Sequence, residues 1–270
     1  MKKVALHNLG CKVNSYEMEV MQQRLTETGY EIVPFELKSD IYIINTCSVT
    51  NIADRKSRQM LHKARKMNPD AIVVATGCYA QTDTDGASAD EAVDIVIGNN
   101  HKNEVVGIIE AYISDNTNRV NVDDLSDHIE YENYNISSSN ERTRVDIKIQ
   151  DGCNQFCSYC AIPLARGRVR SRDKADILVE VKKLSENGYQ EVVVTGIHLS
   201  SYGIDFRQDG HDISYNAFAE SGITTFPSVS IINTLSMNNF GKVICISTSF
   251  DNSIRPFSFI KQISNGYITS

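Results

Sequence analysis

The chain has 270 residues, of which 41% are hydrophobic and 23% charged, and its net charge is −7 at pH 7. This composition is ordinary for a globular protein, and the length allows about two domains. No apolar run is long enough to span a membrane and no secretory signal opens the chain, so the sequence argues against a membrane or exported protein and predicts a cytoplasmic one. The seven cysteines would stay reduced there, which favours metal ligands or catalytic groups over disulfides.

The first half of the chain alternates predicted strands and helices. Apolar runs predict four strands, over residues 3–10, 41–46, 71–77 and 94–98. Helical spacing predicts a first helix capped by Asn14 with the help of Glu17, and two more helices over residues 54–67 and 101–113. Continuous apolar strands joined by helices indicate an α/β fold, an open parallel sheet covered on both faces.

Three cysteines that lie far apart in the sequence each follow one of these strands directly. Cys11 follows the first strand, Cys47 the second and Cys78 the third. Ligands of open parallel sheets bind at the carboxyl ends of the strands, and neighbouring strands lie about 4.8 Å apart. These thiols, which we call the strand-end triad, are therefore predicted to converge on one iron–sulfur cluster. The alternative is three small thiols packed in an α/β core.

The second half of the chain begins after a polar segment, residues 115–141, that is typical of a linker. Alternating apolar residues predict a strand over residues 144–150. Asp173 is the predicted cap of a helix that ends near Asn187, and a further strand follows over residues 191–196. This order is one strand–loop–helix–strand unit, the opening of a β/α barrel or of another open sheet.

A second set of three cysteines lies in the loop before that helix. Cys153, Cys157 and Cys160, which we call the loop triad, form the sequence CNQFCSYC. Three closely spaced thiolates hold three irons of a cubane cluster and leave the fourth iron free to bind a ligand such as S-adenosylmethionine. Tyr159 is suited to lie against the adenine of that ligand. A structural zinc site is the alternative, although such sites use four ligands and no fourth Cys or His lies close by in the sequence.

Around these cysteines the sequence resembles the radical S-adenosylmethionine methylthiotransferase family. The resemblance is carried by GCKVNSYE, INTCSVT and ATGCYAQ at the strand-end triad, by CNQFCSYC, and by PLARGRVRSR and TGIHLSSYG after it. It covers residues 2–216 and is specific, because six cysteines and their surroundings agree together. GCKVN is similar to the branch that acts on threonylcarbamoyladenosine beside the anticodon of tRNA. The branches that act on isopentenyladenosine and on a ribosomal protein have other residues there.

The resemblance implies an enzyme with two [4Fe–4S] clusters and S-adenosylmethionine as cofactors. The loop triad would hold the cluster that cleaves S-adenosylmethionine to a radical, which abstracts hydrogen from C2 of the modified adenine. The strand-end triad would hold the cluster that supplies sulfur, so that a methylthio group is added at C2. Arg166, Thr195 and Gly196, together with Tyr159, would help to bind S-adenosylmethionine. A reducing electron donor is implied as a partner, whereas the sequence leaves the oligomeric state unknown.

Two basic stretches are candidates for contact with tRNA phosphates. The first crowds the second predicted helix, where a solvated helix face is the alternative, and consists of Arg55, Lys56, Arg58, Lys63, Arg65 and Lys66. The second follows the loop triad and consists of Arg166, Arg168, Arg170, Arg172 and Lys174. His198 ends the last predicted strand, where a structural role is the plainer interpretation.

The character of the sequence changes near residue 217. Residues 217–270 hold six of the nine phenylalanines and only five charged residues, which are Glu220, Lys242, Asp251, Arg255 and Lys261. We therefore predict a methylthiotransferase domain over residues 1–138, an incomplete radical S-adenosylmethionine domain over 139–216, and a tail over 217–270 that is disordered or misframed, with a third domain as the alternative. The missing barrel strands predict a crippled enzyme. A non-enzymatic iron–sulfur carrier or electron-transfer protein and a zinc-stabilised nucleic-acid binder are the competing functions.

Overall fold

A computed structural model of the chain describes residues 1–117, 119–126, 130–134, 136, 144–189, 191–207, 229–231 and 244–248. The chain divides into two compact units. The first unit consists of residues 1–136 and 152–168, and the second of residues 137–151 together with the chain from residue 169 onward. Residues 152–168 are predicted from the sequence to belong to the second domain, but they pack with the first unit.

The first unit is built on a six-stranded parallel sheet. Its strands are β1 (Lys3–Asn8), β2 (Glu31–Val33), β3 (Ile41–Thr46), β4 (Ile72–Gly77), β5 (Ile95–Ile97) and β6 (Val120–Asn121). They are ordered β2-β1-β3-β4-β5-β6, and every neighbouring pair is parallel. Asn8 is level with Asn45, and Thr46 is level with Gly77. The carboxyl ends of β1, β3 and β4 therefore meet at one edge of the sheet, and the predicted open parallel sheet is confirmed.

Helices cover both faces of this sheet. They are α1 (Lys12–Glu27), α2 (Asn51–Met67), α3 (Cys78–Thr82), α4 (Thr84–Ala89) and α5 (Val105–Asp115). A further short helix, α6 (Ile162–Arg166), packs against α3. Ile41 and Ile43 pack in a core with residues of α1 and α5, whereas Tyr42 and Ile44 pack in the opposite core with residues of α2 and α3. Strand residues alternate between the two cores because successive side chains of a strand point to opposite faces. In the part of the chain that the structure describes, no helix has the length and apolar character needed to cross a membrane.

Two helices begin earlier than their sequence patterns predict. The cap position of α1 is Cys11, so the prediction that Asn14 caps this helix is wrong. The Asn14 side chain instead donates to the backbone carbonyls of Leu9 and Thr46, at 2.8 and 3.0 Å. The cap of α2 is Thr50, whose hydroxyl accepts from the Ala53 amide, as is typical of a helix N-terminus.

The segment predicted as a linker is partly built into the fold. β6 lies inside it and pairs with β5, and the side chains of Leu125, Tyr134 and Ile136 are buried. The Tyr16 hydroxyl donates to the Tyr134 carbonyl at 3.4 Å, which ties the segment to α1. Among the described residues of 115–141 the linker prediction is therefore wrong, because a few apolar residues anchor a largely polar stretch.

The second unit contains the predicted strand–helix–strand element. Its elements are β7 (Arg144–Asp151), β8 (Arg170–Ser171), α7 (Lys174–Glu186), β9 (Glu191–Gly196), β10 (Val229–Ile231) and β11 (Ile244–Thr248). The sheet order is β10-β11-β9-β7-β8, with β7 and β9 parallel and the other pairs antiparallel. Asp173 caps α7 as predicted, since its carboxylate accepts from the Ala175 amide at 2.7 Å. β10 and β11 fall within residues 217–270, and the rest of the predicted tail lies outside the described residues.

Candidate metal centres

The strand-end triad lies where the carboxyl ends of three neighbouring strands meet. Cys11 lies between β1 and α1, Cys47 follows β3, and Cys78 begins α3 directly after β4. A Cβ built on Gly10 would lie 3.2 Å from the Cys47 sulfur, so the thiol of Cys47 lies against the backbone that leads into Cys11. The fold therefore brings the three sequence-distant cysteines to one place.

The thiols of this triad are also electrostatic neighbours. Burial raises the pKa of Cys47, and the nearby thiols of Cys78 and Cys11 raise it further, whereas the Arg166 guanidinium lowers it. Cys47 and Cys78 are buried and Cys11 is exposed. Ser57 of α2 accepts from the Cys47 amide at 3.1 Å and donates to its carbonyl at 3.0 Å, which fixes the backbone of the central cysteine.

Five buried polar side chains form what we call the Glu17 network beside this triad: Asn14, Glu17, Asn99, Lys102 and Arg166. Arg166 donates to both carboxylate oxygens of Glu17, and its Nη2 lies 3.1 Å from Glu17 Oε2. Lys102 Nζ donates to the same carboxylate and to Asn99 Oδ1, the latter at 2.8 Å. Asn14 Oδ1 accepts from Arg166. Burial lowers the pKa of Lys102, whereas the adjacent carboxylate raises it.

The Glu17 network reaches the strand ends themselves. Asn14 Oδ1 lies 3.9 Å from the Cys11 sulfur, and Asn99 Nδ2 lies 4.0 Å from the Cys78 sulfur. Asn14 Nδ2 also donates to the Thr46 carbonyl, the last of β3, at 3.0 Å. The network therefore contacts two thiols of the triad and the residue directly before the third.

The loop triad is held by its own backbone. The Cys153 amide donates to the Gly167 carbonyl at 3.0 Å, and the Cys160 amide donates to the Cys157 carbonyl at 2.9 Å. Phe156 has a φ of 46°, which turns the chain between the first two cysteines. Cys157 is exposed, and Cys153 and Cys160 are half-buried.

A cavity of about 570 Å³ opens beside the loop triad within the first unit. Cys157 and Cys160 line it, together with residues of α3, of residues 122–126 and of residues 156–168. Arg168 is the cation among its lining residues, and its guanidinium lies 4.7 Å from the centre of the Phe156 ring, a distance at which a cation–π contact holds it. The volume is in the usual range of small-molecule sites, roughly 300–1,000 Å³.

The two triads differ from a preformed metal site but have the right donors for iron–sulfur clusters. Among the described residues, no group of three His, Cys, Asp or Glu side chains is gathered tightly enough to hold a single metal ion. Each triad supplies three thiols, the ligands that iron–sulfur clusters use. Buried polar atoms without a hydrogen-bond partner in the described part of the chain also lie at the strand-end triad: Ser48 Oγ, Asn45 Oδ1 and Thr76 Oγ1. Such atoms are rare in folded proteins. Donor type therefore fits cubane clusters at both triads, and the meeting of three strand ends adds convergence at the strand-end triad.

The other predicted cofactor residues lie in different settings. Tyr159 is 85% exposed and does not line the cavity, whereas Phe156 does. Thr195 and Gly196 end β9 in the second unit, and a Cβ on Gly196 would lie 3.0 Å from Gln150 Oε1. His198 follows them, and its ring nitrogen lies 2.6 Å from the Ser201 hydroxyl. The cofactor roles of Tyr159, Thr195 and Gly196 stay predictions.

The arginines after the loop triad are used mostly inside the fold. Arg166 pairs with Glu17, Arg170 with Asp151 and Arg172 with Glu180, and all three arginines are buried. The structure therefore does not support these three as free cations for phosphate, nor Arg166 as an open ligand of S-adenosylmethionine. Arg168 is the exposed arginine of this run, and residues 169–172 are all buried.

The first basic stretch has the exposure that a phosphate-binding face needs. Five of its six cations are exposed on α2: Arg55, Lys56, Arg58, Lys63 and Lys66. Arg65 instead pairs with Asp94 at 2.5 Å and donates to backbone carbonyls.

The sequence does not predict the Glu17 network, nor that Phe156 and Arg168 line a cavity beside the loop triad. Asn14 and Glu17 stand three residues apart in GCKVNSYE, a spacing that places both on one side of α1, and this spacing was the available signal. Nothing near Lys102 or Asn99 in the sequence indicates a partner, because their contacts lie up to 85 residues away.

Two family models match parts of the chain. Residues 147–230 match the Radical SAM superfamily, and residues 3–98 match a family described as Uncharacterized protein family UPF0004. Over these residues the chain resembles radical S-adenosylmethionine proteins and, among them, the methylthiotransferases. For such a radical S-adenosylmethionine protein one [4Fe–4S] cluster and S-adenosylmethionine are the implied cofactors. The match runs 14 residues beyond the predicted boundary at 216.

Curated relatives narrow the resemblance within these methylthiotransferases. The threonylcarbamoyladenosine tRNA methylthiotransferase MtaB of Bacillus subtilis is 44% identical over 207 residues, which are 77% of this chain and 46% of that protein. MtaB of Aquifex aeolicus is 44% identical over 75% of this chain and 50% of its own length. The ribosomal protein uS12 methylthiotransferase RimO of Caldicellulosiruptor saccharolyticus is 33% identical over 77% of this chain and 48% of its own. The chain spans about half the length of the curated relatives it matches.

Proposed function

We propose that the chain is part of a tRNA methylthiotransferase that adds a methylthio group to C2 of threonylcarbamoyladenosine. The observation that carries the proposal is the convergence of Cys11, Cys47 and Cys78 at three strand ends, in the same compact unit as the CNQFCSYC loop. The MtaB relatives, at 44% identity, support this substrate over the ribosomal protein substrate named for the relative at 33%.

The loop triad is proposed to hold the cluster that works on S-adenosylmethionine. Cys153, Cys157 and Cys160 would ligate three irons, and the adjacent cavity would receive S-adenosylmethionine. Arg168, held over the Phe156 ring, is suited to pair with the carboxylate of that ligand. The walls of the cavity would exclude water and fix the ligand's orientation, which is the usual contribution of a protein to cofactor chemistry.

The strand-end triad is proposed to hold a second [4Fe–4S] cluster. Buried Cys47 and Cys78 would be shielded from water, and exposed Cys11 would lie on the open side of the site. When bound, the two clusters would supply the electron that cleaves S-adenosylmethionine and the sulfur that is transferred. A low-potential electron donor would be needed because cleavage of S-adenosylmethionine consumes an electron. The need for reduced thiols favours a cytoplasmic location.

The proposed tRNA contact surface is α2. Its exposed cations form a face that is able to bind phosphates in a salt-dependent way. Since α2 begins four residues after Cys47, tRNA bound there would lie close to the strand-end triad.

The test is anaerobic reconstitution of the chain followed by three assays. We expect about eight irons per chain, two cubanes of four, and then 5′-deoxyadenosine when a reductant and S-adenosylmethionine are added. Nucleoside mass spectrometry of tRNA that carries threonylcarbamoyladenosine would show the methylthio product. Cys153→Ala should abolish 5′-deoxyadenosine, whereas Cys47→Ala should leave it and abolish the methylthio product. Iron binding without either product would contradict the proposal.

A non-enzymatic iron–sulfur carrier is a second candidate, because a carrier would use the same two sets of three free thiols. Such a protein would take up the same clusters and transfer or exchange electrons with a partner. Formation of 5′-deoxyadenosine separates the two functions, because a carrier would bind clusters without cleaving S-adenosylmethionine.

A further inference from the structure

The Glu17 network lies between the supports of the two cysteine triads. On one side, Asn14 and Asn99 contact the thiols of Cys11 and Cys78. On the other side, Arg166 belongs to α6, the helix that starts two residues after Cys160. Within the described residues, the network therefore connects the strand-end triad to α6, the helix that follows the loop triad.

A second contact runs in parallel with the Arg166–Glu17 pair. Asn99 Nδ2 donates to the carbonyl of Ala165, the neighbour of Arg166 in α6, at 2.6 Å. The same amide group approaches Cys78, and α3, which Cys78 begins, packs against α6. A shift of α6 would therefore disturb the Asn99–Ala165 hydrogen bond, which lies beside Cys78. It would also disturb the Arg166–Glu17 ion pair.

The network is an all-or-none element because it is buried. Its five side chains are at most 2% exposed, so water cannot replace a lost partner. A buried charge that loses its partner is strongly disfavoured, and partly satisfied buried networks are worse than complete ones. Ordering of α6 and ordering of the strand ends consequently depend on each other.

We infer that the Glu17 network couples the two triads, so that a cluster at one triad raises the affinity of the other triad for its cluster. This inference rests on the proposed function, which places a cluster at each triad. Cluster binding at the loop triad would hold α6 in place and thereby complete the network. The conformational entropy of ordering α6 and the network would then already be lost before the strand-end triad binds its cluster. Two sites that share one ordering step in this way bind with positive cooperativity.

The test measures cluster affinity at one triad with and without the other triad. One chain has Cys153, Cys157 and Cys160 changed to Ala. In that chain and in the native chain, the strand-end cluster is titrated anaerobically with an iron chelator, and the iron that remains is followed by its absorption and electron paramagnetic resonance. In the native chain we expect about tenfold more chelator for half-loss than in the loop-triad variant, which corresponds to a coupling of ordinary size.

The network variant removes all three charges together. Glu17→Met, Lys102→Met and Arg166→Met replace the ion pairs by apolar side chains, a change that buried ion pairs often tolerate. In this background we expect the tenfold difference to fall below about twofold. A purely structural role would weaken both clusters and leave the ratio unchanged, so the ratio reports coupling rather than stability.

A matched control is the buried ion pair of the second unit. Arg172 and Glu180 are fully buried and paired, like the members of the Glu17 network. Arg172→Met with Glu180→Met should retain the tenfold ratio. If the triple network variant does not fold in the apo form, Arg166→Lys serves instead. It keeps the charge but not the paired contacts to Glu17 and Asn14, and it should give an intermediate ratio.

The outcomes distinguish failure of the coupling from failure of the proposed function. Clusters that bind with a ratio near one in the native chain would overturn the coupling and leave the proposed function intact. A ratio that stays near tenfold in the network variant, or that falls equally in the Arg172/Glu180 control, would also overturn it. Absence of a cluster at both triads of the native chain would overturn the proposed function together with this inference.

Discussion

The strand-end triad is assembled by a whole sheet, whereas the loop triad is assembled by one short loop. Cys11, Cys47 and Cys78 are brought together by β1, β3 and β4, and two of the three are buried. The loop triad spans eight residues and is closed by backbone hydrogen bonds to its own flanks.

This difference implies that the strand-end triad depends on the stability of the whole sheet, whereas the loop triad depends on the stability of its own loop. The strand-end triad exists only if the sheet is formed in the right register. A substitution that disturbs the sheet beside these cysteines should therefore lower the free energy of unfolding of the whole unit. The loop triad should open locally at little cost to the rest of the chain, since short loops with few buried apolar contacts unfold at low free energy.

The largest effect is expected from Gly77→Ala, directly before Cys78. Gly77 has a φ of +92°, and an added Cβ would lie 2.5 Å from the Thr46 carbonyl oxygen and 2.4 Å from Asn45 Oδ1. Because backbone atoms of β3 cannot move aside cheaply, strain and overpacking together should lower the free energy of unfolding by about 4 kcal/mol. Urea unfolding of the apo chain measures this loss, and iron at the strand-end triad should fall with it.

Gly29→Ala is the control for backbone strain alone. Gly29 has a similar φ of +89°, but no atom lies within 4 Å of an added Cβ. This change should cost about 1 kcal/mol. Equal losses for the two glycines would show that the close approach of β3 and β4 is unimportant.

Next in size is Gly152→Ala, directly before Cys153 in the loop triad. An added Cβ would lie 1.8 Å from the Arg168 carbonyl oxygen, so the loop cannot keep its closed form. Since the loop opens locally, we expect global stability to fall by only about 2 kcal/mol while most iron at the loop triad is lost.

Hydrogen exchange further distinguishes the Gly152→Ala chain from the Gly77→Ala chain. In the Gly152→Ala chain, faster exchange should be confined to the loop before α6, residues 152–161, whereas the Gly77→Ala chain should exchange faster throughout the sheet. A loss in the Gly152→Ala chain as large and as widespread as in the Gly77→Ala chain would remove the distinction between the triads.

The sequence predicts the placement of Cys11, Cys47 and Cys78 at neighbouring strand ends, because the information for that placement is local to each strand. Apolar runs define β1, β3 and β4, and the rule that ligands bind at carboxyl ends of parallel strands places their cysteines together. The parallel sheet and the strands β7 and β9 follow from the same periodicity. Short elements such as β2, β6 and α4 carry too few residues to show a period.

The Glu17 network escapes sequence reasoning because its partners are distant in the chain. Arg166 stands in a run of alternating arginines, and such a run looks like a phosphate-binding surface. Only the fold shows that Glu17, 149 residues away, pairs with it. In the same way, the Asn14 side chain looks like a helix cap until the Leu9 and Thr46 carbonyls are seen beside it.

A smaller effect is expected at the helix that follows the strand-end triad. Thr50→Ala removes the hydroxyl that accepts from the Ala53 amide, and this should cost about 1 kcal/mol of stability. Asp173→Ala at the cap of α7 is a matched change in the second unit and should cost a similar amount. Urea midpoints measure both, and iron at either triad should be unchanged. Loss of iron from the strand-end triad in the Thr50→Ala chain would mean that the site depends on α2 more than on the sheet.

The smallest effect concerns pH beside the cavity of the loop triad. Burial lowers the pKa of His101, but hydrogen bonds to Asp123, at 3.0 Å, and to Glu104 outweigh it and raise that pKa. A raised folded-state pKa means that protonated His101 stabilises the chain below the unfolded value of about 6.5, and that this contribution is lost as pH rises through the folded value. Both side chains are partly exposed, so solvent screening should keep the contribution under about 1 kcal/mol. The native chain should therefore exceed His101→Gln in urea midpoint at about pH 5.5 and lose that advantage at about pH 9. A difference between the two chains that is independent of pH would show that His101 contributes by packing, and that the cavity wall does not respond to pH through this pair.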